Sequence, residues 1–239
     1  MLDATIDQLR SQALSAKDSS GHFAAMYARV TERVQIAIAD GRFDDGERMA
    51  RFARTFADWY IGPRSGSRAR PACWVAADDV AGDRSLLIVQ HLLLGINAHV
   101  NHDLPQVVVE LAGEQPVDSL RADFDAINDI LGETQGDIVG DLGRVSAITQ
   151  WAASRGGGRV FDFSLERARD QAWSTAVRLH ATPAAERPAA AAELDRFVSV
   201  VAYLVAERRP PISWLLAVPR WFERDSPAVV TRKLLGHLA

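Results

Sequence analysis

The segment His91-Leu-Leu-Leu-Gly-Ile-Asn-Ala-His-Val-Asn-His-Asp103 sets polar side chains among apolar ones at helical spacing. At about 100° per residue, its aliphatic residues and its histidines fall on different sides of a helix. A surface helix normally carries lysine, glutamate or arginine on its wet side. Residues 85–102 contain none of these. We therefore predict that residues 84–103 form a largely buried helix, which Pro105 ends or kinks.

Apolar residues recur at intervals of three and four along most of the remaining chain, which indicates further helices. The stripes are Phe23/Tyr27/Val30/Val34/Ile38, Met49/Phe52/Phe56/Trp59, Leu120/Phe124/Ile127/Leu131, Ile138/Leu142/Val145/Ile148/Trp151, Trp173/Val177/Leu179 and Leu194/Phe197/Val201/Leu204/Val205. Alternating strand patterns are absent from the sequence. We predict an all-α fold, a single-domain multi-helix bundle over residues 1–239 with a buried central helix.

Capping and breaking residues predict where several helices begin and end. We expect Asp44 or Asp45 to cap a helix that Gly62-Pro63 ends. Ser226-Pro227 combines a cap with proline at the first helical position, and would begin the last helix. The glycine-rich residues 154–159 would form a flexible connection between an N-terminal lobe and the C-terminal helices.

The composition excludes several classes of partner. The chain of 239 residues has a net charge of −4 and no long basic run, so we expect no nucleic-acid partner. Its start, residues 1–7, has neither the basic nor the apolar region of a secretion signal, and no segment predicts a membrane span. The single cysteine, Cys73, reads as a small buried residue in a reducing compartment. We expect a cytoplasmic protein; an oligomer or a partner protein stays open.

The central helix contains a pair of residues suited to proton transfer. His99 and Asp103 are one turn apart, so imidazole and carboxylate can meet. The carboxylate would fix the tautomer of the imidazole and raise its basicity, which makes His99 a general acid or base. His91 is a third candidate catalytic residue on the same side of the helix.

The neighbouring polar positions have two interpretations. Asn97 and Asn101 would position a ligand, and Gly95, one turn before His99, would leave room for it. Alternatively, the two amides hold neighbouring helices together and the glycine allows close helix packing, at a helix cost of about 1 kcal/mol relative to alanine.

A divalent ion at His99 and Asp103 is an alternative, because residues four apart on a helix can share one ion. Zinc normally takes three or four protein ligands, so further residues such as Asp58 or Asp123 would have to join them. Motifs of serine hydrolases, dinucleotide enzymes and classical zinc proteases do not occur in the sequence. We therefore expect neither a metal nor an organic cofactor.

The central segment, extended to Leu104, resembles the hallmark of domain-of-unknown-function family 5995, a set of largely actinobacterial proteins. The similarity continues in Gly21-His-Phe-Ala-Ala-Met-Tyr27, Val30-Thr31, Asp40-Gly-Arg-Phe-Asp44, Asp123-Phe124, Asn128 and Ala168-Arg-Asp-Gln-Ala-Trp173. The resemblance implies signature positions at His91, Asn97, His99, Asn101 and Asp103, supported by Asp123, Asn128, Arg169 and Trp173. His102 departs from the family pattern, in which we expect an apolar residue there.

The resemblance also implies a type of chemistry. Some relatives are associated with natural-product pathways, including ring-forming and elimination steps, which implies acid–base catalysis in an enclosed cavity. We therefore predict a small-molecule enzyme with His99, Asp103 and His91 as catalytic residues. Its predicted ligand contacts are Asn97, Asn101, Tyr27, Trp74, Asp123, Arg169 and Trp173. The alternatives are a metal-dependent hydrolase and a non-catalytic binding or interaction protein in which the polar helix is structural.

Overall fold

A central helix runs from Ile88 to Ala112, and the other helices pack around it. The structure is a computed structural model that describes residues 1–127, 129–130, 146, 157–207, 223 and 225–236, and only the backbone of residues 157–164. Within these ranges every regular element is a helix. The predicted all-α fold with a buried central helix is confirmed.

The α-helices of the described residues are numbered in chain order. They are α1 (Asp3–Ser15), α2 (Ser20–Ala39), α3 (Gly46–Ser65), α4 (Ala72–Asp79), α5 (Ile88–Ile96), α6 (Leu104–Ala112), α7 (Gly157–Ala181), α8 (Arg187–Val205) and α9 (Pro227–Leu234). A π-helical segment, Asn97–Asp103, joins α5 to α6, and a 3₁₀ turn covers Val117–Leu120.

The predicted caps of two helices are confirmed. Asp45 precedes α3, and its Oδ1 accepts a hydrogen bond from the backbone N–H of Arg48 at 2.8 Å. Ser226 precedes α9, where its hydroxyl accepts from the backbone N–H of Val229 at 3.4 Å. Each bond satisfies an N–H group that the first helical turn leaves without an intrahelical partner.

Two predicted boundaries are different in the structure. Gly62-Pro63 does not end α3, which continues to Ser65 and stops at Gly66 with φ of 82°. Proline has a helical φ, and near the end of a helix it removes only one hydrogen bond. The segment predicted as a flexible connection falls partly outside the described residues, at 154–156, while residues 157–159 form the first turn of α7.

The central helix begins later than predicted. It starts at Ile88 rather than near residue 84, because the Asp83 carboxylate accepts from the backbone N–H of Ser85 at 2.7 Å and forms a turn instead of a cap. The side chain of Gln90 accepts from the backbone N–H of Leu87 at 2.9 Å and so satisfies a donor at the true start of the helix.

Pro105 does not end the central helix. It lies in the first turn of α6, directly after the π-helical segment. Proline has no N–H, so an ordinary α-helical bond to the carbonyl of Asn101 cannot form there. The widened turn lies immediately before this interruption, and the helix continues to Ala112.

The π-helical segment is surrounded by other helices. Besides its flanking helices α5 and α6, it contacts α3, α4, α7 and α8. One apolar cluster includes Leu104 and Val108 of α6, and a second includes Leu92 of α5 together with Ala98. Phe56 packs against both clusters. Among the described helices, none has the length and hydropathy required to cross a bilayer.

The apolar stripe predicted for α8 is wrong at two positions, because Phe197 is 66% exposed and Leu204 is 67% exposed. The other three predicted residues, Leu194, Val201 and Val205, are half-buried. The buried residues of α8 are Val198, Ser199 and Ala202. The buried side chains are smaller because α8 lies directly against α4 and the π-helical segment. Asn128, Leu131 and the stripe from Ile138 to Trp151 lie outside the described residues.

Candidate functional site

The π-helical segment supplies the polar side chains of the candidate site. Each N–H of a π-helix bonds the carbonyl five residues back, so its turn is wider than that of an α-helix. Such segments are rare and occur frequently at functional sites. The buried residues of this one are Asn97, Ala98, His99, His102 and Asp103.

The carboxylate of Asp103 is the centre of a buried hydrogen-bond network. His99 Nδ1 lies 3.0 Å from Oδ2, and Trp74 Nε1 donates to the same oxygen at 2.9 Å. His102 Nδ1 lies 2.8 Å from Oδ1. Asp103 is 0% exposed, so three side chains replace the water that an isolated carboxylate would require.

The network favours an ionised Asp103 and a neutral His99. Burial opposes ionisation of Asp103, but hydrogen bonds from His102 and His99 outweigh burial and hold the pKa of Asp103 below its ordinary value. Burial lowers the pKa of His99, although Asp103 acts in the opposite direction. A carboxylate that accepts from Nδ1 selects the Nδ1–H tautomer, so the lone pair of His99 is on Nε2.

His99 Nε2 is buried, and no hydrogen-bond partner for it is present among the described residues. Leaving such an atom unsatisfied costs about 1–3 kcal/mol, so the arrangement requires an explanation. Five aromatic rings enclose the imidazole. The distances between ring centroids are 3.6 Å to Phe56, which is stacked, 4.5 Å to Tyr27, 5.5 Å to Phe23, 6.2 Å to Tyr60 and 6.3 Å to Trp74.

These five rings form an aromatic cage around His99, and they differ in exposure. The cage consists of Phe23, Tyr27, Phe56, Tyr60 and Trp74. Phe56 is half-buried, and the others are buried. Burial raises the pKa of the Tyr27 hydroxyl well above its ordinary value, with Asp103 as the next cause. Burial likewise raises the pKa of Tyr60 to about 12. Both phenols are therefore uncharged at neutral pH.

Gly95 allows close packing instead of leaving room for a ligand beside His99. A Cβ added to Gly95 would lie 2.5 Å from ring carbons of Phe23. The Phe23 ring therefore occupies the space that a side chain at this position would fill. Of the two interpretations of this glycine, the structure supports close helix packing.

Two pockets end against the outer side of the aromatic cage. The larger, about 390 Å³, is lined by Tyr60 and by polar residues, among them Arg64, Arg70 and Asp78. The smaller, about 20 Å³, shares Arg64 and Asp78 with the first and reaches Phe23, Trp74, His91 and Gly95. Neither pocket is lined by His99 or Asp103, so one layer of aromatic rings separates both pockets from His99.

His91 has different partners from His99. Its Nε2 lies 3.2 Å from the backbone carbonyl of Asp83, and its ring is 6.2 Å from that of His22. Burial, reinforced by His91, lowers the pKa of His22 from 6.5 to about 4. The catalytic role predicted for His91 stays a prediction, and its described contacts are those of a second histidine cluster.

The two asparagines connect helices. Asn97 Nδ2 donates to the backbone carbonyl of Val198 in α8 at 3.0 Å. Asn101 Nδ2 donates to Asn97 Oδ1, also at 3.0 Å. These bonds are those expected of the structural interpretation, and the ligand-binding role of Asn97 and Asn101 stays a prediction.

The remaining predicted ligand contacts lie around α7. Asp123 forms an ion pair with Arg48. Trp173 packs on Phe124, and the cation over its ring, at 5.1 Å, is Arg121. Arg169 is buried one turn before Trp173. Their roles in ligand binding stay predictions, and Tyr27 and Trp74 are the two predicted contacts that touch His99 or Asp103 directly.

The structure offers metal ligands at a different place from the predicted one. The predicted additional ligands Asp58 and Asp123 pair instead with Arg68, at 3.1 Å, and with Arg48. Among the described residues, one ligand atom each from Cys73, His102 and Asp195 lie within 4.8 Å of one another. Cys73 is buried, as predicted, and His102 is its near neighbour in space although not in sequence.

Several residues of the site had no clear sequence signal. Phe56 and Phe23 read as ordinary members of core stripes, and no pattern links Asp195 to Cys73. Trp74 was predicted as a ligand contact, and the bond of its indole to Asp103 depends on how α4 packs. The one available signal was His102, a polar departure from the family pattern next to Asp103.

Comparison with known proteins identifies a family and nothing more specific. A family model described as a family of unknown function (DUF5995) matches residues 2–208. The resemblance noted from the central segment is thereby confirmed. No curated protein and no solved structure matches the chain significantly.

Proposed function

The chain belongs to the DUF5995 family, and on that premise we propose that it is an enzyme that acts on a small molecule by proton transfer. His99 is the general acid or base, and Asp103 orients it. One observation carries the proposal: His99 Nδ1 is held by the Asp103 carboxylate, while its buried Nε2 has no hydrogen-bond partner in the described part of the chain. A group that receives the proton of a substrate needs a free and oriented lone pair of this kind.

The electrostatics support the same role. A neutral His99 can take a proton at Nε2, and the ionised Asp103 stabilises the resulting imidazolium through Nδ1. The Trp74 and His102 bonds hold Asp103 in place, so little reorganisation accompanies proton transfer. Ring formation and elimination, the steps associated with the family resemblance, require such a proton transfer and no change of redox state.

A small substrate is favoured by the space beside the cage. The larger pocket, about 390 Å³, falls in the range of small-molecule sites, about 300–1,000 Å³. Its lining includes Tyr60 and the ion pairs of Arg64 and Arg70 with Asp78, which suit a polar part of the substrate. The free thiol of Cys73 supports the reducing cytoplasm as the compartment in which the protein acts.

Access to His99 requires one ring of the cage to move. Phe56 is the half-buried member and stacks on the imidazole at 3.6 Å, so its rotation is the proposed route. Phe56→Ala should increase the rate at which a small imidazole-acylating reagent modifies His99, measured by peptide mass spectrometry. Phe197→Ala, which removes a phenyl group that is 66% exposed, is the matched control and should leave that rate unchanged.

The function is tested by conversion of metabolites. The purified protein is incubated with a small-molecule extract, and loss of compounds is followed by mass spectrometry. Wild type and His180→Gln should convert the same compound, because His180 lies outside both buried histidine clusters. His99→Gln should slow that conversion about 100-fold or more. A folded His99→Gln protein that converts the compound at the wild-type rate would contradict the proposal.

A non-catalytic binding protein is the second candidate, and the Asn97 bond to the Val198 carbonyl favours it. In that case the polar network would serve only to hold α8 on the central helix. Asn97→Ala and His99→Gln would then both lower the melting temperature, and no compound would be converted by any variant. Loss of conversion in His99→Gln with an unchanged melting temperature distinguishes the enzyme from this alternative.

A further inference from the structure

Three side chains with different metal-binding chemistry meet where α4, the π-helical segment and α8 converge. One ligand atom each from Cys73, His102 and Asp195 lie within 4.8 Å of one another. Cys73 and His102 are buried, and Asp195 is half-buried. Asp195 lies 122 residues from Cys73 in sequence, so only the fold brings the two together.

Thiolate, imidazole and carboxylate are the ligands that Zn²⁺ takes in proteins. At ion–ligand distances of about 2.0–2.3 Å, tetrahedral ligand atoms are about 3.3–3.8 Å apart. The upper separation here is 4.8 Å, so an ion would draw the three atoms together by at most about 1.0–1.5 Å. Side-chain rotation alone covers such a distance.

The surroundings of His102 match those of a metal-binding histidine. Metal-bound histidines generally donate their second ring N–H to a carboxylate or carbonyl, which orients the ring. His102 Nδ1 bonds Asp103 Oδ1 at 2.8 Å, so Nε2 is the nitrogen left for an ion. Asp103 is itself fixed by Trp74 and His99, so the imidazole is oriented in advance.

The carboxylate of Asp195 is also oriented in advance. Its Oδ1 accepts from the backbone N–H of Cys73 at 2.8 Å, and its Oδ2 accepts from that of Ala72 at 2.7 Å. Each carboxylate oxygen has a second lone pair, so coordination does not require these bonds to break. The bonds bring the carboxylate next to the residue that carries the thiol.

We propose that Cys73, His102 and Asp195 bind a divalent ion of the zinc class, with Asp103 as a positioning residue. On binding, the thiol of Cys73 loses its proton to the buffer, and the sulfur, His102 Nε2 and an Asp195 oxygen coordinate the ion. Three protein ligands leave one position of a tetrahedral ion for water or a ligand. His99 does not coordinate the ion, although Asp103 orients the imidazoles of both sites.

The test uses the full-length, tag-free protein, freed of metal by a chelator and titrated with Co²⁺. We expect one equivalent to bind and to produce the near-ultraviolet charge-transfer band of a sulfur–cobalt bond. Cys73 is the single cysteine of the chain, so this band reports on that thiol alone. Zn²⁺ should then displace Co²⁺ and abolish the band.

Variants assign the other ligands. Cys73→Ala should remove the band, and His102→Gln and Asp195→Asn should each weaken Co²⁺ binding at least about 10-fold. Asp103→Asn should weaken it about 10–100-fold while the band remains. His180→Gln, which changes a histidine outside the cluster, should bind as wild type does.

Three results would overturn the proposal. The first is wild-type protein that shows no sulfur–cobalt band, a result that needs no variant and is unaffected by misfolding. The second is Co²⁺ affinity that is unchanged in His102→Gln and Asp195→Asn, which would reduce Asp195 to a cap of α4. The third is Co²⁺ binding that produces no sulfur–cobalt band and is abolished by His99→Gln. That result would place the ion at His99 and Asp103 instead.

Discussion

The central helix passes two buried histidine clusters with different partners. His99 and His102 share the carboxylate of Asp103, whereas the described contacts of His91 are with the ring of His22 and the backbone carbonyl of Asp83. Burial lowers the pKa of both His99 and His22. At His99 the buried Asp103 carboxylate fixes the tautomer and stands ready to stabilise a proton. The comparison teaches that burial makes a histidine neutral, and that a carboxylate partner makes it useful for chemistry.

The strongest way to break this difference is to neutralise the carboxylate. Asp103→Asn keeps the shape but replaces one acceptor oxygen by an amide N–H₂, so either His102 or the pair of His99 and Trp74 faces a donor, and every remaining bond loses its charged acceptor. Hydrogen bonds to a charged group contribute about 1.5–3 kcal/mol each. We expect the free energy of unfolding to fall by about 3 kcal/mol or more, measured by urea denaturation.

The control for this variant is Asp118→Asn. Asp118 is exposed, and its substitution should change the free energy of unfolding by no more than about 0.5 kcal/mol. A loss below about 1 kcal/mol for Asp103→Asn would mean that the three donors find other acceptors. The contrast between the two clusters would then disappear.

The second prediction concerns the cluster of His22 and His91. The pKa of His22 is about 4 in the folded protein and 6.5 ordinarily, because burial and, next, His91 lower it more than the Pro227 backbone and Asp18 raise it. Between these values the unfolded chain binds more protons, so stability falls as pH falls from 6.5 to 4. This histidine alone should remove about 3 kcal/mol over that range.

The measurement is the free energy of unfolding as a function of pH in wild type and His22→Leu. The variant should lose the contribution of His22, so its profile should be flatter by about 3 kcal/mol between the two pH limits. His180→Leu should keep the wild-type profile. Parallel profiles for wild type and His22→Leu would show that His22 is protonated in the folded protein.

The smallest expected effect concerns the boundary between the clusters. Gly95 lies between His91 and His99 and faces Phe23, whose ring carbons would be 2.5 Å from an added Cβ. Overpacking costs about 1–3 kcal/mol, and the better helix propensity of alanine offsets about 1 kcal/mol. We expect Gly95→Ala to lower the free energy of unfolding by about 1 kcal/mol.

Gly82→Ala is the matched control, because nothing lies within 4 Å of a Cβ added there. Gly95→Ala should lower the free energy of unfolding by less in a Phe23→Leu background, because leucine is smaller and leaves room for the added methyl group. If the two changes in the free energy of unfolding simply add, contact with the Phe23 ring does not determine the cost of Gly95→Ala.

The pairing of His99 with Asp103 was predictable because it is local. Both residues are on one helix, and a spacing of four brings them together whether the turn is α- or π-helical. The all-α fold was predictable for the same reason, because the spacing of apolar residues within each segment indicates a helix and the side of it that is buried. Asp45 and Ser226 were identified as caps from residue type alone.

The cage and the cysteine cluster were not predictable because they depend on long-range packing. Phe56 and Trp74 come from α3 and α4, and their approach to His99 depends on how those helices cross the central one. The π-helical turn was missed as well. Apolar spacing in its flanks fits an α-helix, and one extra residue in a turn leaves no mark in composition.

The widened turn also affects how this chain should be aligned with its relatives. A π-helical segment contains about one residue more per turn than an α-helix spanning the same length. A relative that lacks one residue between Ile96 and Leu104 could close the segment as ordinary α-helix and keep α6 facing the same neighbours. It would lose the geometry that joins three side chains at one carboxylate. The length of this segment is therefore as informative as its residues about which relatives share the chemistry.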